Sequence, residues 1–183
     1  MTRVTTERAH EEYAALRATI RERGTTRVCL FAGGIVAWAA LAVATAALAS
    51  TPVATLLPLL VLGSVFEAVF ALHVGVERVG RYLQVFHETD AAASWEQAAM
   101  AFGRPKGAAS SDALFALPFL LAAVFNVAPL LVADPTRAEL VFVGGAHALF
   151  VLRLAVARDT AVKQRAIDLE RFKQLKREGA REP

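Results

Sequence analysis

An all-α fold is predicted for this chain: a four-helix transmembrane bundle made of two helical hairpins, with amphipathic cytoplasmic helices attached. Three observations carry the prediction. Four apolar runs approach or exceed the roughly 20 residues needed to cross a hydrocarbon core about 30 Å thick. Helix caps and prolines bound those runs. Eighteen of the twenty Lys and Arg residues fall in the segments that would share one side of a membrane. The composition agrees, since 56% of the residues are hydrophobic and the mean hydropathy is +0.44, more apolar than an average soluble domain.

Residues 1–27 form the first element, a cytoplasmic amphipathic helix. Ala9, Tyr13, Leu16 and Ile20 recur at spacings that place them on one helical face, and Glu7, Arg8, Glu11, Glu12, Arg17 and Arg21 occupy the other. The membrane domain follows at 28–157. Its first span, 28–49, has no charge and opens beside Cys29. This lone cysteine has no partner for an internal disulfide and no neighbouring cysteine for a metal site, so it reads as a small apolar side chain. Ala47-Leu48-Ala49 resembles a signal-peptidase site, but the long leading segment with its four Glu residues is unlike a short basic signal start. The run is therefore expected to stay as a span.

The second span, 53–76, is interrupted by Glu67 and His73. Thr51 suits its cap and Pro52 its first position. The helix is expected to run on past the membrane, because Val79, Leu83 and Phe86 continue its stripe and Glu77 and Arg81 form a favourable i,i+4 pair. In the cytoplasmic connection 77–112, Ser94-Trp95-Glu96-Gln97 reads as a capping box. A short helix with Trp95, Ala98, Ala99 and Phe102 on its apolar face would follow, ending at Gly103 and Pro105. Gly107 to Ser111 reads as a small-residue linker, with Ser111 able to cap the third span, 113–133, whose one strongly polar residue is Asn126. After Asp134-Pro135, Thr136 and Glu139 form a second capping box. It opens the fourth span, 140–157, which contains His147 and Arg153. The cytoplasmic helical tail 158–183 repeats the amphipathic theme with Val162, Ala166, Leu169 and Phe172.

Charge orients these elements. Segments 1–27, 77–112 and 158–183 hold six, four and eight basic residues, whereas the opposite side holds Arg137 alone. The positive-inside rule then places both termini in the cytoplasm of a cell, or inner, membrane. Arginine outnumbers lysine sixteen to four, and with abundant alanine this suggests a prokaryotic source.

Small residues mark the expected helix packing. Gly33, Ala37, Ala40 and Ala44 form a stripe on the first span, and Gly63, Ala71 and Gly75 share an i,i+4 series with Glu67 on the second. Small residues let backbones approach closely in lipid, so the two stripes are expected to meet each other or a second copy. Pro58, Pro118 and Pro129 are candidate kinks. Asn126, three residues before Pro129, is placed to bond a loosened carbonyl.

Ionisable groups within spans are costly and mark candidate sites. Glu67 and His147 lie within roughly 6 Å of the same depth at 1.5 Å rise per residue. They are expected to meet in the interior, either as a static hydrogen bond or as a pair that exchanges a proton. At the membrane edge stand His73, Glu77, Arg78, Arg81 and Arg153. His73 and Glu77 share a helical face, and His87-Glu88-Thr89-Asp90 adds ligand-type residues, but no complete metal spacing is present. His73 and His147 as axial ligands of a haem would sit a turn or more apart in depth. Ser64 has no base beside it, and no phosphate-binding or dinucleotide-binding glycine pattern occurs. No cofactor is predicted. The basic residues are interspersed with acids and accompany no recognition motif, so no nucleic-acid partner is expected. The partners expected are the lipid bilayer and either a second copy or a protein on the cytoplasmic side. The leading function is a non-enzymatic membrane protein that assembles. The alternatives are a small channel or transporter using Glu67 and His147, and a haem- or metal-bearing membrane subunit.

Overall fold

The structure is a computed structural model that describes residues 2–47, 52–88, 95, 98, 111–132 and 134–181, with the backbone alone at 2–6, 111–115 and 131. Among the described residues there are four α-helices, two 3-10 turns and no strand: α1 (Thr2–Ala46), a 3-10 turn Pro52–Thr55, α2 (Leu56–Phe86), α3 (Ser111–Val127), a 3-10 turn Ala128–Leu131, and α4 (Arg137–Gly179). The amphipathic segments predicted at 1–27, 77–86 and 158–179 are therefore continuous with the adjoining apolar runs. Neither a proline nor a cap interrupts these junctions, so the backbone ladder simply continues. Three of the helices contain a stretch long and apolar enough to cross a membrane, within Glu7–Ala46, Pro52–Phe86 and Arg137–Gly179, and a shorter apolar helix covers Ala116–Leu130.

The predicted helix boundaries are built much as expected where they can be seen. Thr136 N–H donates to Glu139 Oε2 at 2.9 Å and Glu139 N–H donates to Thr136 Oγ1 at 3.3 Å, a reciprocal capping box. Asp134, just before Pro135, adopts φ 49°, a left-handed conformation that Asp tolerates better than most residues. Pro52 opens the first 3-10 turn and its carbonyl accepts Thr55 Oγ1–H at 2.8 Å. Pro118 lies inside α3, while Pro129 falls in the 3-10 turn that ends it. The expected cap at Thr51 and most of the helix expected within 94–105 lie outside the described residues. Trp95 and Ala98 are helical, and Trp95 is exposed.

The chain divides into two compact units. The apolar unit comprises Arg27–Phe70 and Ser111–Asp159. Its core gathers Leu59, Leu62 and Phe66 from α2, Phe119, Ala122 and Ala123 from α3, and Phe150, Leu154 and Ala157 from α4. The alternation of three- and four-residue steps along α2 and α4 keeps each set on one helical face. Phe66 sits at the centre, edge-to-face with Phe119 at 5.3 Å and with Phe150 at 6.1 Å, contacts worth about 0.5–1.5 kcal/mol each beyond their burial. From α1, Phe31, Ile35 and Trp38 pack against this core.

The polar unit comprises Met1–Thr26, Ala71–Ser110 and Thr160–Pro183. Leu83 is fully buried in it. A ring cluster surrounds that residue's helix end: Tyr82 stacks on Phe86 at 4.7 Å and meets Phe172 edge-on at 5.6 Å. Tyr13 approaches His87 at 5.7 Å. The predicted amphipathic faces are partly realised here. Tyr13, Leu16, Ile20, Leu169 and Phe172 are half-buried, whereas Val162 and Ala166 are exposed.

Candidate functional site

Two polar clusters occupy the apolar unit. In the first, Asn126 Nδ2–H donates to the Thr55 carbonyl at 2.8 Å, and the same nitrogen lies 2.9 Å from His147 Nε2. His147 Nδ1 lies 2.8 Å from the Val143 carbonyl one turn earlier in α4. A carbonyl accepts only, so Nδ1 carries the proton and Nε2 accepts from Asn126. Both amide hydrogens and both ring nitrogens are then satisfied, which a site with Asn126 2% and His147 5% exposed requires. The expected bond from Asn126 to a carbonyl loosened by Pro129 in its own helix is replaced by a bond to the Thr55 carbonyl, on the turn leading into α2.

The second cluster joins α2 to α4. Arg153 Nε lies 2.7 Å from Glu67 Oε1 and Nη2–H donates to Oε2 at 2.8 Å, a two-pronged guanidinium–carboxylate pair. The guanidinium also lies 5.4 Å from the Phe70 ring centre and 5.8 Å from that of Phe66. The side chains of Arg153 and Glu67 remain 39% and 50% exposed. The expected meeting of Glu67 with His147 is thus replaced by two separate pairings, Glu67 with Arg153 and His147 with Asn126. Arg153, six residues after His147 along α4, is the side chain that comes level with Glu67, and Glu67 is exposed while His147 is buried. The Glu67–Arg153 pairing had a signal in the sequence. Glu67 stands fifteen residues after Pro52 and Arg153 sixteen after Arg137, so the opposite charges come level when the helices run parallel.

Of the residues expected at the membrane edge, His73, Glu77, Arg78 and Arg81 lie in the polar unit, whereas Arg153 lies in the apolar one. Glu77 pairs with Arg165, at 2.6 Å to Nη2 and 2.7 Å to Nε, and His73 Nε2 lies 3.7 Å from it on the same face. Arg78 Nε–H donates to Asp168 at 3.2 Å, and Gln164 donates to the same carboxylate at 2.8 Å. Glu77, Arg81, Gln164, Arg165 and Asp168 line a cavity of ≈ 10 Å³, at the lower limit for one water molecule. Nearby in this unit, Tyr82 donates to Glu12 at 2.7 Å, and His87 Nε2 is 3.7 Å from the same carboxylate. The bond to Glu12, then burial, then the carboxylate charge push the Tyr82 phenol above its ordinary value. No group of three or more His, Cys, Asp or Glu side chains suited to a metal ion occurs among the described residues.

The predicted packing residues are placed unevenly. Gly33, Ala37, Ala40 and Ala44 are exposed, and a side chain added at Gly33 would meet nothing within 4 Å. The close approach of α1 to α2 is instead at Gly34, against Val65. Gly63 is half-buried with Phe150 4.0 Å from where its Cβ would be, Gly75 has Arg23 Nη1 2.9 Å away in the same sense, and Ala71 is exposed. The expected meeting of the α1 and α2 small-residue stripes is therefore not how these helices join. Bulkier neighbours in α1, namely Phe31, Ile35 and Trp38, make the contact with the core.

Comparisons with protein-family models, with curated proteins and with solved structures find no match for this chain.

Proposed function

We propose that this is a non-enzymatic, multi-pass protein of a cell membrane, crossing it four times with both termini in the cytoplasm, whose work is to assemble with a second copy or a partner protein. The observation that carries this reading is the poor cover of α1. Its most apolar stretch is 6% buried, against 33% for that of α2 and 28% for that of α4. On its open side Gly33, Ala37, Ala40 and Ala44 stand in line. Lipid tails do not distinguish an apolar helix from their own kind, so helices associate in membranes through close backbone approach, and small residues permit it. Extraction of the protein with its surrounding lipid into polymer-bounded discs, followed by a measurement of the protein mass in each particle, tests the proposal. Particles holding more than one 19.6 kDa chain, or one chain with a stoichiometric partner, are expected. Particles holding a single chain alone would overturn it.

A further inference from the structure

We infer that the Glu67–Arg153 pair is the centre of a two-fold contact between two copies of this chain inside the membrane. The inference rests on the assembly reading above, commits the partner to a second copy, and adds a surface on α2 and α4 distinct from the open side of α1. At 1.5 Å per residue, Glu67 and Arg153 lie roughly 22–24 Å from the outer ends of their helices. In a hydrocarbon core about 30 Å thick that leaves the pair several ångströms below the cytoplasmic headgroups. The surrounding surface is apolar and open: Leu60 is 68% exposed, Leu149 67% and Val156 48%, with Ser64 exposed beside Glu67.

The pair is neutral as a whole but unfinished as a hydrogen-bonding group. A guanidinium has five N–H donors and a carboxylate about four acceptor sites. Among the described residues, Arg153 uses two donors and Glu67 two acceptors, both on each other. In lipid the remaining N–H groups and lone pairs have no water to turn to. Arg153 is also poorly free to reach the headgroups, because Glu67 holds its edge and Phe66 and Phe70 lie within reach of its charge.

A partner that completes this surface must present a carboxylate and a guanidinium at the same depth. A second copy does so by symmetry. In a two-fold contact, each residue meets on the partner the residue that meets it. An axis along the membrane normal keeps the depths equal and can set Glu67 of each copy against Arg153 of the other. The two pairs then close into a ring of four alternating charges, and the spare donors find the spare acceptors. Ser64, whose hydroxyl bonds the Leu60 carbonyl of its own helix at 2.9 Å, leaves room at the rim for close approach.

The test is a charge exchange. The double variant Glu67→Arg/Arg153→Glu keeps the pair within each chain and keeps the alternation between two identical copies. Against the parent chain, however, the exchanged copy sets carboxylate against carboxylate and guanidinium against guanidinium, which excludes the mixed pair. Parent and exchanged chains carrying different tags are produced together, and dimers are captured through one tag. Random pairing makes half of the dimers mixed. The inference expects each chain to pair with itself and the mixed fraction to fall at least about tenfold. Mixed dimers at the random fraction would sink this surface while leaving assembly intact, and absence of dimers of the parent chain would sink self-assembly and this inference with it, leaving only assembly with a partner protein. Should the exchanged chain fail to accumulate, Ser64→Cys in a Cys29→Ser background decides. Oxidation is expected to yield a covalent dimer from it and none from Val124→Cys, an exposed position on α3. A parent dimer without the Ser64→Cys cross-link overturns the surface.

Discussion

Two adjacent glycines in α1 give the sharpest quantitative prediction. A Cβ at Gly33 would meet nothing within 4 Å, whereas one at Gly34 would lie 3.0 Å from Val65 Cβ, 2.5 Å from its Cγ2 and closer still to its Cγ1. Carbon atoms pack best at about 3.5–4.0 Å, so Gly34→Ala overlaps a β-branched side chain by an ångström or more. Val65 cannot swing aside cheaply, because its χ1 is restricted in a helix. Overpacking of this kind costs about 1–3 kcal/mol. The gain in helix propensity from Gly to Ala, about 0.8–1 kcal/mol, is common to both positions and cancels in the comparison. Gly34→Ala should therefore be less stable than Gly33→Ala by about 2 kcal/mol, roughly thirty-fold in the unfolding equilibrium. Denaturant titration in mixed micelles, read by retained helicity, measures the difference. The double variant Gly34→Ala/Val65→Ala removes the overlap and should recover much of the loss, a coupling of 1 kcal/mol or more in a double-mutant cycle. Equal stability of the two alanine variants, or a cycle with no coupling, would refute the close approach of α1 to α2 at this point.

Three other outcomes follow from the same geometry. Reporter fusions after residues 25, 92 and 170 should read cytoplasmic and fusions near 51 and 136 should read the opposite side, because eighteen of twenty basic residues segregate that way; an external C-terminus contradicts four spans. His147→Phe strands an Asn126 amide hydrogen at a buried site and should cost about 1–3 kcal/mol, whereas His147→Phe/Asn126→Leu should cost less than the sum of its parts. Additive losses in thermal unfolding would mean that the two side chains do not bond each other. Finally, Tyr82 should give a late ionisation step, because the bond to Glu12 holds its phenol above the ordinary 10.0. A raised phenol makes a contribution to stability that is complete below its unfolded value and is lost as pH rises through the folded one. Ultraviolet titration of tyrosinate checks this: Tyr82→Phe should abolish the late step, and a late step that survives the substitution assigns it elsewhere.

Much of the helix architecture was legible because it depends on local chemistry. The Thr136–Glu139 box, the start at Pro52 and the continuation of α2 past residue 76 all follow from which backbone groups can be paired by neighbours a turn away, whereas Pro129, a candidate kink within a span expected to reach 133, falls in the 3-10 turn after α3. The continuity of α1 and α4 through the boundaries of apolar runs was less plain. A shift from apolar to charged composition marks a change of solvent, but without a proline, a glycine cap or a competing side chain it does not break a ladder of backbone bonds. Reading a boundary at residue 27 or 157 thus confused a change of surroundings with a change of conformation.

The facing of the helices was harder to read, and Glu67 shows why. In a water-soluble helix the polar side of the wheel points out, so composition fixes the rotation about the axis. In α2 both sides are apolar over the run that contains Glu67, and the small-residue series Gly63, Glu67, Ala71 reads as the inward face because small residues favour close approach. The face that turns inward is instead Leu59, Leu62, Phe66 and Val69, the neighbouring phase of the same helix. Large side chains fill the space between three helices better than a stripe of Gly and Ala can, and the aromatic contacts of Phe66 fix the rotation. With Phe66 inward, Glu67 is carried about 100° around the axis toward the open surface. The matching rotation of α4, set by Val143, His147, Phe150 and Leu154, turns Arg153 toward the same side. The ion pair at the surface and the neutral Asn126–His147 pair in the interior are therefore two results of one packing choice. A charged carboxylate left inside would have needed a cation there. Outside, it has Arg153, while the interior keeps polar groups that close their hydrogen bonds without net charge.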